Sequence, residues 1–206
     1  MLGDEFFFVA HDDTTGNSRL HAKASGLGLA AALLTELLFV NRITIQSGIL
    51  TVIDRHPPDD GLAHMVLDQV LSEPRQRSVH TWLAFFGQTA TDAVAQRLLR
   101  SGRVRANQVR RAFRATTVYT PVDTSTAAWA ESRLRHLLTS GRPMTLDDAA
   151  LVGLISATGL RDRILWDADA EARRYLTHVL DTLPAPLREL NAHTEAAIGD
   201  ATLSRR

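Results

Sequence analysis

SGLGLAAALLTELLFVNRITI, residues 25–45, is apolar on every side from Gly26 to Val40 except at Thr35 and Glu36. A helix without a polar face must be surrounded by other helices or by lipid. Lipid fits less well, because fifteen helical residues rise only about 22 Å against a hydrocarbon core of about 30 Å, and Glu36 would lie inside it. The stretch therefore predicts a buried central helix, ended by Asn41-Arg42 and followed directly by a strand over Ile43 to Gln46. Glu36 is expected to be a structural carboxylate satisfied by a neighbouring helix or a cap, not a catalytic one.

The whole chain of 206 residues is long enough for a substantial core, and no linker divides it, so one domain over 1–206 is expected. Few aromatics and abundant alanine and leucine favour helices. With no cysteine there is no disulfide framework, thiol nucleophile or cysteine-ligated zinc. The opening MLGDEFFFVAHDD has no basic run, and its apolar FFFVA is too short for a signal peptide or a span, so a cytoplasmic protein is expected. Net charge is zero, yet no acidic residue falls between Ala93 and Val122, where Arg97, Arg100, Arg103, Arg105, Arg110, Arg111 and Arg114 make a local basic field.

Outward from the central helix, Leu2 to Ala10 is a short apolar element, helix or strand, ending in the turn-rich HDDTTGNS. His11, Asp12 and Asp13 could in principle ligate a metal, but adjacent turn residues seldom converge on one ion. ITIQSGILTVID reads as a β-hairpin around Ser47-Gly48. After the breaker His56–Gly61, an amphipathic helix covers Leu62 to Ser72, with Asp60, His64 and Asp68 stacked along what reads as a solvated face. Short helices follow over Ser78 to Phe86 and from Thr89 or Thr91 through Leu99, closed by Ser101-Gly102. RVRANQVRRAFRATTVY reads as a second hairpin with its turn at Ala106-Asn107-Gln108. Asp123, Thr145 with Asp148, and Asp167 then cap three helices, and a last one runs through Ile198. Trp82, Trp129 and Trp166 sit among helical apolar residues and are expected in the core or an interface. The expected fold is mainly α: a central buried helix in a helical bundle, with peripheral amphipathic helices and two β-hairpins.

In this order the chain resembles the Golgi phosphoprotein 3 family, in the manner of a bacterial-type member. The residues that carry the resemblance are the turn Asp12 to Gly16, Gly28-Leu29, Glu36-Leu37, Arg42 before a strand, and Pro58 before a helix ending Leu67-Asp68. They continue with LLRSGRV at Leu98 to Val104 and a hairpin closed by Tyr119-Thr120-Pro121. The resemblance spans about residues 1 to 195 and implies a non-enzymatic, peripheral membrane protein whose hairpin serves oligomerisation, and whose eukaryotic relatives read phosphatidylinositol 4-phosphate. Position by position, the family's headgroup tryptophan falls on His21, its central-helix arginine on Ala30, and two further arginines on Gln88 and Thr91. Headgroup recognition rests on bidentate arginine bonds, so an altered site is implied, with His21 and Lys23 lining it.

The partner expected from charge is an anionic phospholipid or phosphoinositide headgroup, met by Arg110, Arg111 and Arg114 around Phe113. A homo-oligomer through the 103–119 hairpin and a protein cargo are further expectations. The weaker alternatives are a winged-helix nucleic-acid module, with Thr91 to Arg100 as recognition helix, and a scaffold that binds no lipid. No nucleophile elbow, phosphate loop, dinucleotide fingerprint or His-Glu-x-x-His occurs, so no enzyme and no cofactor are expected.

Overall fold

A computed structural model describes residues 1–111 and 114–203. The chain runs α1 (Leu2–Ala10), α2 (Ala22–Phe39), β1 (Ile43–Gln46), β2 (Ile49–Val52), α3 (Gly61–Ser72), α4 (Val79–Phe86) and α5 (Ala90–Arg100). It continues through β3 (Val104–Arg111), β4 (Arg114–Pro121), α6 (Thr124–Ser140), α7 (Leu146–Ala157), α8 (Arg161–Ile164), α9 (Ala170–Thr182) and α10 (Ala185–Leu203). The fold is mainly α, with two separate two-stranded antiparallel sheets among the described residues.

α2 has 18 residues, more than the sequence led us to expect, and rises about 27 Å. By length and composition it could cross a bilayer, so burial settles its place: every residue from Ser25 to Leu37 is buried. α1, α3, α4, α5, α7 and α10 all lie against it. Two glycines make that packing close. A Cβ on Gly26 would sit 2.1 Å from the Gly87 carbonyl oxygen, and one on Gly28 would sit 2.5 Å from the Phe6 ring. The helix ends where expected, with Asn41 in the left-handed region at φ 53°.

α1 resolves the open choice at the N-terminus as a helix, with Phe6, Phe7, Val9 and Ala10 in the core. His11 follows it, stacked on the Phe7 ring at 4.0 Å, with Nδ1 2.8 Å from the Phe7 carbonyl oxygen. Burial pushes the His11 imidazole below its ordinary 6.5; the Phe7 carbonyl opposes that shift and the Arg19 charge adds to it. The unfolded chain then takes up the proton at higher pH than the folded one, so stability is complete above pH 6.5 and declines below it. Urea unfolding from about pH 7 to about pH 5 should show this decline, with a shallower slope in His11→Gln. Equal slopes would remove His11 as its source.

The first hairpin is as expected, with Gln46 paired to Ile49 and positive φ at both Ser47 (53°) and Gly48 (71°). The second is longer than expected. Ala106, Asn107 and Gln108 are strand residues paired with Tyr119, Val118 and Thr117, and pairing continues to Arg111 opposite Arg114. Asn107 Nδ2 donates to Thr120 Oγ1 at 2.8 Å and Gln108 Nε2 to Thr117 Oγ1 at 2.9 Å, so turn-forming side chains serve here as cross-strand rungs.

Asp123 and Thr145 cap α6 and α7 as expected, and Asp148 N donates to Thr145 Oγ1 at 3.1 Å. The cap of α9 is Asp169, not Asp167: its carboxylate accepts from Glu171 N and Ala172 N at 3.0 and 2.8 Å. The short α8, after Gly159 at φ 82°, takes up the intervening chain. Trp82 is buried, whereas Trp129 and Trp166 are 61% and 68% exposed and lie outside the core. Trp166 instead carries the Arg135 guanidinium over its ring at 5.5 Å.

Candidate functional site

The seven arginines between Ala93 and Val122 divide into two groups. Arg97 faces inward with Ala90, Val94 and Leu98 on the buried side of α5. Its Nε donates to Asp4 at 2.8 Å, Nη1 and Nη2 reach the two Glu36 oxygens at 2.9 and 3.0 Å, and Nη1 also lies 3.1 Å from Asp60. Glu36 Oε1 accepts from Gly3 N at 2.8 Å as well, capping the start of α1. Glu36 is thus the structural carboxylate expected. Burial alone would lower the Arg97 pKa, and the bonds and charges of Glu36, Asp4 and Asp60 more than reverse it, so the guanidinium stays charged. Arg103 adds a second bond to Asp4 at 3.0 Å and lies over the Phe8 ring.

This arrangement corrects the reading of Asp60. It does not stand on a solvated face with His64 and Asp68; it caps α3 through Leu62 N and Ala63 N and turns its charge to Arg97. His64 and Asp68 pair by themselves at 3.3 Å. The basic field is correspondingly smaller than the sequence count, because Arg97 is neutralised inside the protein and the half-buried Arg103 is paired with Asp4.

Arg100 and Arg105 are exposed. Of Arg110, Arg111 and Arg114, the strand backbone at the far end of the hairpin is described, and Phe113 lies outside the described residues. Among the described residues the hairpin is fastened to the body at its base and along β4, where Thr117 to Thr120 are half-buried. Val104 is buried, Val122 N donates to Arg103 O at 2.9 Å, Gln96 Nε2 donates to Tyr119 Oη at 3.1 Å, and Gly16 fits closely against the Tyr119 carbonyl. Beyond Val104, residues Arg105 through Val109 are exposed in succession. Since alternate strand residues face opposite sides, both faces of β3 there are in solvent.

His21 and Lys23 begin α2. His21 is the N-cap, its Nδ1 accepting from Lys23 N at 3.2 Å, and both residues are exposed. Ala30 is wholly buried in the core, where an arginine would displace packed helix. Gln88 is exposed at the turn between α4 and α5, donating to Ala84 O at 3.4 Å, and Thr91 is half-buried at the start of α5. The contact of Gly26 with Gly87 sets the first turns of α2 beside that α4–α5 turn. The helix N-terminus and Lys23 there favour negative charge. His21 and Lys23 are joined by the N-cap bond.

His11, Asp12 and Asp13 do not converge. His11 is turned onto Phe7, Asp12 accepts from Thr14 N, Thr15 N and Thr15 Oγ1, and Asp13 faces Arg19 at 3.7 Å. The Thr15 bonds hold the Asp12 carboxyl below its ordinary value. Arg19 Nη1 donates to the Phe8, Val9 and His11 carbonyls, closing the C-terminal end of α1. Among the described residues no group of three His, Asp or Glu side chains is placed to hold a metal ion.

Comparison with known proteins matches the family model described as Golgi phosphoprotein 3 (GPP34) to residues 2–197. No curated protein matches the chain.

Proposed function

Because the chain belongs to the Golgi phosphoprotein 3 family, we propose that it is a non-enzymatic peripheral membrane protein that meets anionic lipid through its arginine-rich hairpin. One observation carries this reading: an eight-pair hairpin with no acidic residue exposes Arg105 through Val109 in succession along β3, and Arg110, Arg111 and Arg114 follow in its sequence. Near an anionic leaflet each arginine contributes about 1 kcal/mol, so these four and Arg100 supply several, weakened by salt. Phe113 is placed by sequence between Arg111 and Arg114 to add an apolar anchor. His21 and Lys23 add a smaller positive surface at the start of α2. With His21, Ala30, Gln88 and Thr91 at the family's headgroup positions, the binding is charge-driven and discriminates weakly among headgroups.

The same projecting hairpin would serve a homo-oligomer or a protein cargo if lipid is not its partner. The winged-helix alternative draws less support, because α5, its recognition helix, turns Arg97 into the core, leaving few base-reading side chains outside. Co-sedimentation with phosphatidylserine vesicles at low ionic strength tests the proposal. Wild type should sediment, and Arg110→Ala/Arg111→Ala/Arg114→Ala should remain in the supernatant. Equal sedimentation of both would move the contact away from the hairpin.

A further inference from the structure

We propose that the cleft at the open edge of β2 is a binding site for a phosphate monoester carried on a compact apolar group. The cleft, of about 210 Å³, opens where β2 and the turn before α4 part company. At one end the two chains are bridged: Leu50 N donates to Arg77 O at 2.7 Å and Val79 N to Gly48 O at 3.0 Å. Leu50 N–H faces away from β1, so by the two-residue period of a strand Val52 N–H faces the same way. No backbone partner meets Val52 on that side, and it lines the cleft.

The other donors converge on the same space. Arg55 and Arg77 both line it, and neither side chain has a hydrogen-bond or ion-pair partner among the described residues. The neighbouring Asp54 leaves Arg55 free, being held by Arg42 Nη1 at 2.8 Å and by His56 Nδ1 at 2.7 Å. Gln76 Oε1 accepts from Ser78 N at 3.0 Å, which leaves the Gln76 NH₂ as a donor; Thr51 adds a hydroxyl. The turn is fixed in place by Trp82 Nε1, which donates to Gln76 O at 3.2 Å. No carboxylate lines the cleft, and Leu50, Val70, Leu71 and Pro74 form its apolar walls.

Two guanidiniums match the charge of a phosphate monoester, about −1.5 to −2 near neutral pH. Donors on both walls suit a tetrahedral three-oxygen head better than a planar carboxylate. The apolar walls call for an organic substituent, and the volume limits it to a small one. The site does not depend on the hairpin, and its ligand could be a soluble ester or the headgroup of a phosphatidic-acid-type lipid.

Titration calorimetry of the full chain with phenyl phosphate tests the site. Saturable binding is expected, weakened about tenfold or more in Arg55→Ala/Arg77→Ala and unchanged in the hairpin triple variant. Benzyl alcohol should not bind. Both arginines are exposed, so the double variant should keep the wild-type Tm. Absence of phenyl phosphate binding, or equal binding in the double variant, overturns the proposal. Co-sedimentation of the hairpin triple variant with phosphatidic acid vesicles separates the sources: dependence on Arg55 and Arg77 identifies a lipid headgroup, and its absence alongside phenyl phosphate binding identifies a soluble ester.

Discussion

Arg97→Met is expected to destabilise the protein by about 3–5 kcal/mol, because it strands Asp4, Glu36 and Asp60 around an uncharged side chain. Asp4 and Glu36 are only 8% and 7% exposed at the side chain, so water cannot replace the lost partner. A domain of this size is stable by about 5–15 kcal/mol, so the variant should be marginal, with a large fall in its urea midpoint. Arg97→Lys should lie between, since an ammonium keeps the charge and loses the fork that spans both Glu36 oxygens. Glu36→Gln should cost less than Arg97→Met, because Asp4 and Asp60 still meet the guanidinium. If Arg97→Met unfolds at the wild-type midpoint, the cage is not holding α1, α2, α3 and α5 together.

Gly26→Ala is expected to destabilise the protein although alanine is the better helix former. Helix propensity alone would favour the change by about 1 kcal/mol. Against it, the new methyl would lie 2.1 Å from a backbone oxygen, that of Gly87, which cannot rotate away as a side chain would. Overpacking of this kind costs about 1–3 kcal/mol, and separating α2 from the end of α4 puts the net effect on the unfavourable side. Gly61 at the start of α3 is the control: among the described residues a Cβ there meets nothing within 4 Å, so Gly61→Ala should raise Tm. Opposite signs of the two Tm changes are the expected result; a stabilised Gly26→Ala would mean that the two helices are not in contact at this point.

What the chain revealed before folding was local. The all-round apolar run, the asparagine after it, the Ser47-Gly48 turn and the caps Asp123 and Thr145 each act through neighbours a few residues away, and each came out where the spacing put it. The buried role of Arg97 did not, because its partners Asp4, Glu36 and Asp60 are 93, 61 and 37 residues distant. Its position on the face shared by Ala90 and Val94 was the available signal, outweighed by the run of arginines around it. The turn at Asn107 was misplaced for a related reason: asparagine and glutamine favour turns locally, and here threonines on the opposite strand give them a ladder instead. Trp129 shows the same limit, since an apolar ring in a helix does not reveal which side of that helix is covered, while Trp166 falls in the turn after α8 and not in a helix. The exposure of Arg105 through Val109 on β3 was partly legible, as a stretch without acids, but the half-burial of Thr117 to Thr120 on β4 depends on what packs against them from elsewhere.

The contact proposed for the hairpin with anionic membrane is charge-driven. It is tested most directly by co-sedimentation with vesicles of matched surface charge, one set carrying phosphatidylserine and the other phosphatidylinositol 4-phosphate, across a salt series. Charge-driven contact requires equal binding to both sets, lost together as salt rises and absent from neutral vesicles. Binding to the phosphoinositide set alone, or to neither at low salt, would contradict it.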